Sequence, residues 1–262
     1  MQVYWYEQSQ SDVPAHTDWL SASDAVHANG IRFAKRRDDW LLGRWTAKHA
    51  LAACLQLPSS PGTLVRLEIR PEPSGAPEAY LDGRPARVGI SLSHSCGVAI
   101  CAVADPGVAL GCDLEVIESR SDIFVRHYFT SQEQQLIAQT APPYQPELVA
   151  LLWSAKESAL KALRTGLRAD TYSVEVTPKP VAQLGETTQA YVNGTGASPG
   201  FRFGVNTWQP LQVRHSGGLV FEGWWLVSGG HVRTVVASPP PAPPIELRCN
   251  AKVWREPQLA ER

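Results

Sequence analysis

The sequence predicts an α+β fold made of two structurally similar halves that meet near Pro106. Strand-like and helix-like segments alternate along the chain, and the order of a strand, a helix and further strands returns after Pro106. Hydrophobic residues make up 44% of the 262 positions and charged residues 19%, which is the balance of a chain that buries a core. The residues contain no internal repeat, so the predicted similarity lies in the order of the elements alone.

Residues 1–106 form the predicted first half. Alternating polar and apolar residues indicate a first strand, and a helical pattern follows with Asp38 and Asp39 near its start, where the helix dipole favours negative charge. Pro58 ends this helix. The predicted elements are a strand at 2–6, a helix at 37–57 and strand-like segments at 63–70 and 79–93, the last with an Asp82–Gly83 turn.

Residues 107–237 form the predicted second half. GVAICAVA and GVALGCDLEVI have the character of strands joined by a turn at 105–107, so we expect an antiparallel hairpin here. Thr130 and Glu133 have the spacing of a capping box and open a helix. A longer helix begins at Pro146 and stops at Gly166. Later strands are predicted in YSVEV, QAYVN, FRFGV, FEGWWLVSG and VRTVVAS.

The composition argues against several classes of protein. A net charge of −1 gives no basic excess for binding nucleic acid. We find neither a secretory signal nor an apolar run of the ~20 residues that a membrane span needs, and the five cysteines lack metal-ligand spacing. We therefore expect a reduced cytoplasmic protein without membrane association. Its proline-rich residues 238–262 are expected to form a stiff tail after the folded domain.

Two acids interrupt the apolar run GCDLEVIE at 111–118. Side chains alternate faces on a strand, so Asp113 and Glu115 point the same way with Cα atoms ~6.5 to 7 Å apart, while Cys112 and Leu114 face the core. Two carboxylates this close repel each other unless a basic side chain or a metal lies between them. Taken alone, such a pair is more often a solvated face of a sheet.

The longer helix supplies a third acid. Trp153, Glu157 and Lys161 are spaced four residues apart and share one stripe. Lys156 lies beside them. An exposed Glu–Lys pair is a common reason for this spacing. The alternative is an oxygen-rich Mg²⁺ site completed by Glu157, in which the two lysines meet a phosphorylated ligand.

Two segments match and three more resemble motifs that occur together in one family. They are GCDLE at 111–115, WSAKESALK at 153–161, ISLSHS at 90–95, YFTSQE at 128–133 and LLGRWTAKHAL at 41–51. On these motifs the sequence resembles the 4'-phosphopantetheinyl transferases of the surfactin-synthetase type. The first two segments carry most of the resemblance, which runs from about residue 30 to residue 176.

In that family the fold is a pseudo-twofold pair of α+β halves, and coenzyme A lies in the cleft between them. The resemblance implies an Mg²⁺-dependent transfer of phosphopantetheine from coenzyme A to a serine of an apo acyl or peptidyl carrier protein, with release of 3',5'-ADP. The carrier, whether of fatty acid, polyketide or peptide synthesis, stays open. We expect the protein to act as a monomer.

The resemblance also implies roles for individual residues. Asp113, Glu115 and Glu157 would bind Mg²⁺, and Glu157 is also a candidate base for the carrier serine. Lys161 would hold the diphosphate and is a candidate to protonate the leaving group. The side chains expected to bind coenzyme A are Lys161, Ser93, His94, Arg37 and Arg44.

Two cations that the family usually carries at the nucleotide end differ here. Ala76 stands where a lysine is usual, and His27 stands where a basic residue for the 3'-phosphate is usual. The basic cluster at 35–48 or Arg84 would then compensate. Two other hypotheses follow: a non-catalytic coenzyme A or carrier-protein binding module of the same fold, and a metal-dependent phosphohydrolase acting on a diphosphate.

Overall fold

The computed structural model describes residues 1–166, 169–179, 203 and 206–248. The protein is a mixed α+β structure in which helices pack on several sheets, so the predicted fold class is confirmed at this level. Two predicted strands, QAYVN and all of FRFGV except Phe203, lie outside the described residues. Within the described ranges, no helix combines the length and the apolar character needed to cross a bilayer.

In the N-terminal sheet, the first strand of the chain lies beside the last strand that the structure describes. The order of this sheet is β12 (Ile245–Glu246), β1 (Tyr4–Ser9), β6 (Val98–Ala104) and β5 (Gly89–Ser95). β12 runs parallel to β1, and the other neighbours are antiparallel. Because β12 follows the prolines at 239–244, the first part of the predicted tail packs on this sheet. Residues 249–262 lie outside the described part of the chain.

Helix α2 (Ala34–Cys54) covers this sheet, with the short helices α1 (Ala22–Gly30) before it and α3 (Pro61–Leu64) after it. The predicted helix at 37–57 is therefore confirmed, with bounds that lie three residues earlier. Its buried face carries small and aliphatic side chains, among them Leu42 and Leu51. The helix ends where Gln56 adopts a left-handed backbone with φ of 56°.

A small antiparallel sheet contains β2 (Leu67–Pro71), β3 (Pro77–Leu81) and β4 (Arg84–Pro85). The predicted strand at 63–70 is wrong in its first residues, because Pro61 favours the first turn of α3 there. The turn at Asp82–Gly83 is confirmed, since both residues have positive φ. A second turn, residues 72–76, joins β2 to β3 and is called the β2–β3 turn below.

The C-terminal sheet is antiparallel and is covered by α6 (Gln145–Ala162). Its order is β7 (Ala109–Val116), β11 (His231–Ser238), β10 (Val220–Ser228), β9 (Gln209–His215) and β8 (Val174–Pro178). Helices α4 (Asp122–Tyr128) and α5 (Ser131–Gln139) connect β7 to α6. The predicted capping box is confirmed, because Thr130 and Glu133 exchange side-chain hydrogen bonds with each other's backbone N–H.

The hairpin expected from the strands around residues 105–107 is wrong. β6 pairs with β1 and β5, whereas β7 pairs with β11. Strand β5 lies against β7 instead, and the backbone N–H of Cys112 donates to Ser91 Oγ at 2.9 Å. β6 is almost wholly buried and β7 is buried from Leu110 to Leu114, so their apolar sequences could not specify which partner each would take.

Two buried lysines anchor the two long helices. Lys156 of α6 lies 2.8 Å from Glu133, and Lys48 of α2 lies 2.7 Å from Asp24; each lysine also donates to two backbone carbonyls. Both acids belong to the capping box of a preceding helix. Burial lowers the pKa of Lys156 and raises that of Glu133. Lys156, which the helix pattern grouped with a phosphorylated ligand, is therefore a structural residue.

We expect Lys156→Met to lower the free energy of unfolding by about 3–5 kcal/mol, because it leaves Glu133 buried without a counter-charge. Urea denaturation at neutral pH measures this. Adding Glu133→Gln should recover part of the loss. Lys35→Met is the matched control, since Lys35 forms an exposed pair with Asp39 and should change stability little. Equal effects of the two Lys→Met changes would show that the buried pair anchors nothing.

Candidate active site

A cavity of about 1140 Å³ lies between elements from both halves of the sequence. Its walls come from α2, the β2–β3 turn, β5, the turn before β7 and the end of α6. The charged lining residues are Arg44, Arg70, Arg87, Lys161 and Arg164 on the basic side, and Asp39, Glu72 and Glu78 on the acidic side. The excess of basic side chains, with two lining histidines besides, suits an anionic ligand.

Four of the five side chains predicted to bind coenzyme A line this cavity: Arg44, Ser93, His94 and Lys161. Arg37 is not among the lining residues. Ala76 and His27, which stand at the expected cation positions, do line it, and the ring of His27 lies against Trp40 at 4.9 Å between centroids. The guanidinium of Arg44 also lies over the Trp40 ring, 4.7 Å from its centroid. The structure thus brings these four side chains to one cavity, and their binding of coenzyme A stays a prediction.

Gly111 sets the distance between β7 and α6. A Cβ added to Gly111 would lie 1.8 Å from the carbonyl oxygen of Ser158 and 2.9 Å from the backbone nitrogen of Ala162. Any side chain at position 111 would therefore push the helix off the strand. This close contact holds Glu157 and Lys161 of α6 beside Asp113 of β7.

Asp113 is the centre of the site. Its carboxylate is buried, and Oδ1 accepts hydrogen bonds from Ser93 Oγ and from Lys161 Nζ, both at 2.7 Å. Lys161 also donates to the carbonyl of Cys112 at 3.1 Å. Asp113 Oδ2 is buried and has no hydrogen-bond partner among the described residues. The arrangement therefore leaves one buried carboxylate oxygen available for a further positive group.

Glu115 and Glu157 add negative charge around Asp113. Glu115 accepts hydrogen bonds from Trp153 Nε1 at 3.1 Å and Arg120 at 3.3 Å, and Glu157 lies 4.0 Å from Lys161 Nζ. Burial, together with the negative charge of the neighbouring Asp113 carboxylate, raises the pKa of each glutamate to about 7. The two glutamates thus tend to hold protons when no other cation is present.

The chemical type of these ligands suits a hard divalent cation, because all of them are carboxylate oxygens and one, Asp113 Oδ2, has no hydrogen-bond partner among the described residues. In the described part of the chain, however, no three His, Cys, Asp or Glu side chains are already arranged around one point as metal ligands. Lys161 Nζ occupies the space beside Asp113 Oδ1. The carboxylates fit a metal in chemistry and charge, and side-chain movement would be needed to bring them together.

Lys161 and His94 carry different charges at neutral pH. Burial opposes the charge on Lys161, but the carboxylates of Asp113 and Glu157 outweigh it and raise the lysine pKa above its ordinary value. Burial also lowers the pKa of His94, and the positive charge of Lys161 lowers it further. Lys161 therefore supplies a fixed positive charge, while His94 is available as a neutral hydrogen-bonding group.

Several lining residues were not found from the sequence: Arg70, Arg87, Glu72 and Arg164. The first three come from strands and turns of the first half, and only the fold brings them to the cavity. Arg164 follows the motif lysine Lys161 by three residues, and this spacing is the sequence signal that points to it. Trp153 was seen as part of a stripe, and the structure adds that it orients Glu115.

Two similarities to known proteins bear on this site. Residues 109–207 match the family model described as the 4'-phosphopantetheinyl transferase superfamily. The holo-[acyl-carrier-protein] synthase of Salinispora arenicola (strain CNS-205) is 28% identical over 118 residues, which cover 43% of this chain and 91% of that protein. The residues matched by the family model include Asp113, Glu115, Glu157 and Lys161, and they begin after Ser93 and His94.

We expect Gly111→Ala to lower the free energy of unfolding by roughly 1–3 kcal/mol, because its methyl group would overlap the backbone of α6. Thermal or urea denaturation measures the loss. Gly62→Ala is the control, since a Cβ at Gly62 meets nothing within 4 Å. A Gly111→Ala protein as stable as Gly62→Ala would contradict the close contact.

The metal-free protein should lose stability as the pH rises. Glu157 has a pKa of about 7 in the folded protein against an ordinary value of 4.5, so the folded state binds protons more tightly than the unfolded chain. Its contribution to stability is therefore present below about pH 4.5 and lost as the pH passes about 7. Glu157→Gln should escape this loss, so its melting temperature relative to wild type should rise over this range in buffer with a chelator.

The exposed Glu118 provides the control for this measurement, because its side chain is 52% exposed and pairs with Arg120. Glu118→Gln should follow the wild-type pH profile closely. Parallel profiles for Glu157→Gln and wild type would show that Glu157 is not perturbed by its surroundings.

Proposed function

We propose that this protein transfers 4'-phosphopantetheine from coenzyme A to a serine of an apo acyl or peptidyl carrier protein, as the surfactin-synthetase type of the family does. The observation that carries the proposal is the ion pair of Lys161 with Asp113, flanked by Glu115 and Glu157, at the edge of a basic cavity. The family match over residues 109–207 supports it, because that range contains all four residues.

Coenzyme A is the ligand that we propose for this cavity. The ligand carries several phosphate charges, and the cavity brings basic side chains together with hydroxyl and imidazole groups. In the proposal its phosphates contact Ser93, His94, Arg44 and Lys161. Arg37 is proposed to bind coenzyme A as well, although it does not line the cavity.

Mg²⁺ is proposed as the metal, with Asp113, Glu115 and Glu157 as its ligands. The unpartnered Oδ2 of Asp113 and the raised pKa values of the two glutamates support the binding of a cation by these carboxylates. When bound, the ion would neutralise charge on the diphosphate.

The chain's own residues then have distinct roles. Glu157 accepts the proton of the carrier serine, whose oxygen forms a new bond to the phosphorus of the phosphopantetheine group. The bond from that phosphorus to the bridging diphosphate oxygen breaks, and 3',5'-ADP leaves with the electron pair. Lys161 stabilises the negative charge that builds on the leaving phosphate, a role that its raised pKa favours over donation of its proton.

We also propose that the halves at 1–106 and 107–237 are related by a pseudo-twofold axis. The matching positions of the Lys48–Asp24 and Lys156–Glu133 pairs support this, because each joins a long helix to the capping-box acid of a preceding helix. The protein is proposed to act as a monomer in the cytoplasm. Residues 238–262 are proposed to lie beyond the catalytic halves, although β12 packs on β1.

The direct test is to mix the protein with Mg²⁺, coenzyme A and a panel of apo carrier proteins, and to measure the mass of each carrier. We expect a gain of one phosphopantetheine on the carrier serine. Glu157→Gln and Lys161→Ala should slow this transfer by about 10²–10⁴-fold. Glu118→Gln, which changes an exposed carboxylate in the same way, should transfer at the wild-type rate.

A binding module without catalysis would give a different result. It would bind coenzyme A in calorimetry and give no mass gain on any carrier, and Glu157→Gln would bind the carrier as tightly as wild type. Release of 3',5'-ADP in the absence of a carrier would instead indicate a phosphohydrolase. Either result would reject the transferase.

A further inference from the structure

Arg164 links the two halves of the sequence across the cavity. Its Nη1 lies 2.5 and 2.6 Å from the two carboxylate oxygens of Glu72, which precedes it by 92 positions in the β2–β3 turn. Both residues line the cavity, as does Lys161, which is three residues before Arg164 at the end of α6. The guanidinium is therefore held on the turn that faces the proposed phosphate site.

The ion pair leaves part of the guanidinium available. Only Nη1 contacts Glu72, while Nε and Nη2 have no partner among the residues that the structure describes. The side chain is 57% exposed, so these N–H groups can reach a ligand. A guanidinium offers five N–H donors in a planar fork that matches phosphate oxygens. Glu72 can therefore fix the orientation of the fork without using all of it.

The backbone at this position is unusual for a long side chain. Arg164 has a φ of 58°, in the left-handed region that glycine adopts without strain. Arg164 lies just beyond α6, which ends at Ala162, and its side chain contacts Glu72 of the β2–β3 turn. Ala76, at the end of this turn, also lines the cavity and offers no charge. Arg164 thus places a positive charge beside this turn, where the side chain of Ala76 has none.

We propose that Arg164 is a ligand-binding residue that contacts a phosphate of coenzyme A, and that Glu72 positions it. The inference rests on the proposed function, which supplies the ligand. The 3'-phosphate and the diphosphate offer the same chemistry to a guanidinium. Arg164 would then help to determine the affinity for the nucleotide. It belongs to the second half of the chain and acts beside a turn of the first half.

Isothermal titration calorimetry of the full chain with coenzyme A tests this. Arg164→Ala should weaken binding by at least about tenfold, since hydrogen bonds to charged groups are lost. Repeating the titration with dephospho-coenzyme A, which lacks the 3'-phosphate, identifies the phosphate concerned. A loss with coenzyme A alone assigns Arg164 to the 3'-phosphate, and an equal loss with both ligands assigns it to the diphosphate. Unchanged affinity for coenzyme A overturns the proposal.

Arg66→Ala is the matched control. Arg66 forms an ion pair with Asp82 at 2.6 Å, is about as exposed as Arg164, and does not line the cavity. Removing its charge should leave the affinity for coenzyme A unchanged. A loss of affinity equal to that of Arg164→Ala would show that the effect comes from the overall charge of the protein, and it would overturn the proposal.

Two further variants separate ligand binding from a merely structural bridge. Glu72→Gln weakens the contact that positions Arg164 but keeps the arginine, so it should weaken the binding of coenzyme A by less than Arg164→Ala does. Ala76→Lys added to Arg164→Ala returns a cation to the same turn and should restore most of the affinity. If Glu72→Gln weakens binding as much as Arg164→Ala does, and Ala76→Lys restores nothing, the residue is a structural bridge and the proposal fails.

Failure of the proposed function looks different from failure of this inference. If wild type binds neither coenzyme A nor dephospho-coenzyme A and gives no mass gain on carriers, the proposed function fails and the inference loses its ligand. If wild type binds and transfers, and Arg164→Ala does so equally well, the proposed function stands and only the role of Arg164 is rejected.

Discussion

The contact between β7 and α6 at Gly111 is the constraint on which the site depends. Backbone atoms of the helix occupy the space that any side chain at 111 would need. The helix is also joined to the neighbouring strand by Ser154 and Ser158, whose hydroxyls share hydrogen bonds with Thr234 of β11. Because helix and strand are fixed at this distance, the acids of β7 and the acid and lysine of α6 act on each other directly.

The charges at this junction are unbalanced, and the imbalance is local. Three acids share two cations here, because Asp113 and Glu157 lie beside Lys161 and Glu115 pairs with Arg120; elsewhere the buried acids Glu133 and Asp24 each have a buried lysine of their own. A structural ion pair is complete when each charge has its partner and its hydrogen bonds. In the site on β7 and α6, the buried Oδ2 of Asp113 has no hydrogen-bond partner among the described residues, a feature typical of a binding site for a ligand or an ion.

The cavity beside this cluster is built from residues distant in sequence. Ser93 reaches Asp113 from β5, and Glu72 meets Arg164 between the β2–β3 turn and the end of α6. Each of these contacts crosses from the first half of the chain to the second. The acids of the site belong to the second half of the chain, within the residues that the family model matches. The first half supplies much of the cavity wall that would face a ligand.

The sequence by itself determined the fold class, the long helices and the acids, because periodicity, capping residues and strand alternation are local properties of the chain. It also singled out Asp113, Glu115, Glu157 and Lys161. Only the tertiary structure decided that β6 and β7 belong to different sheets, that Lys156 is buried with Glu133, and that Arg164 reaches Glu72. Strand partners and ion pairs depend on which distant surfaces come together, and two buried apolar strands carry no local signal of their neighbours.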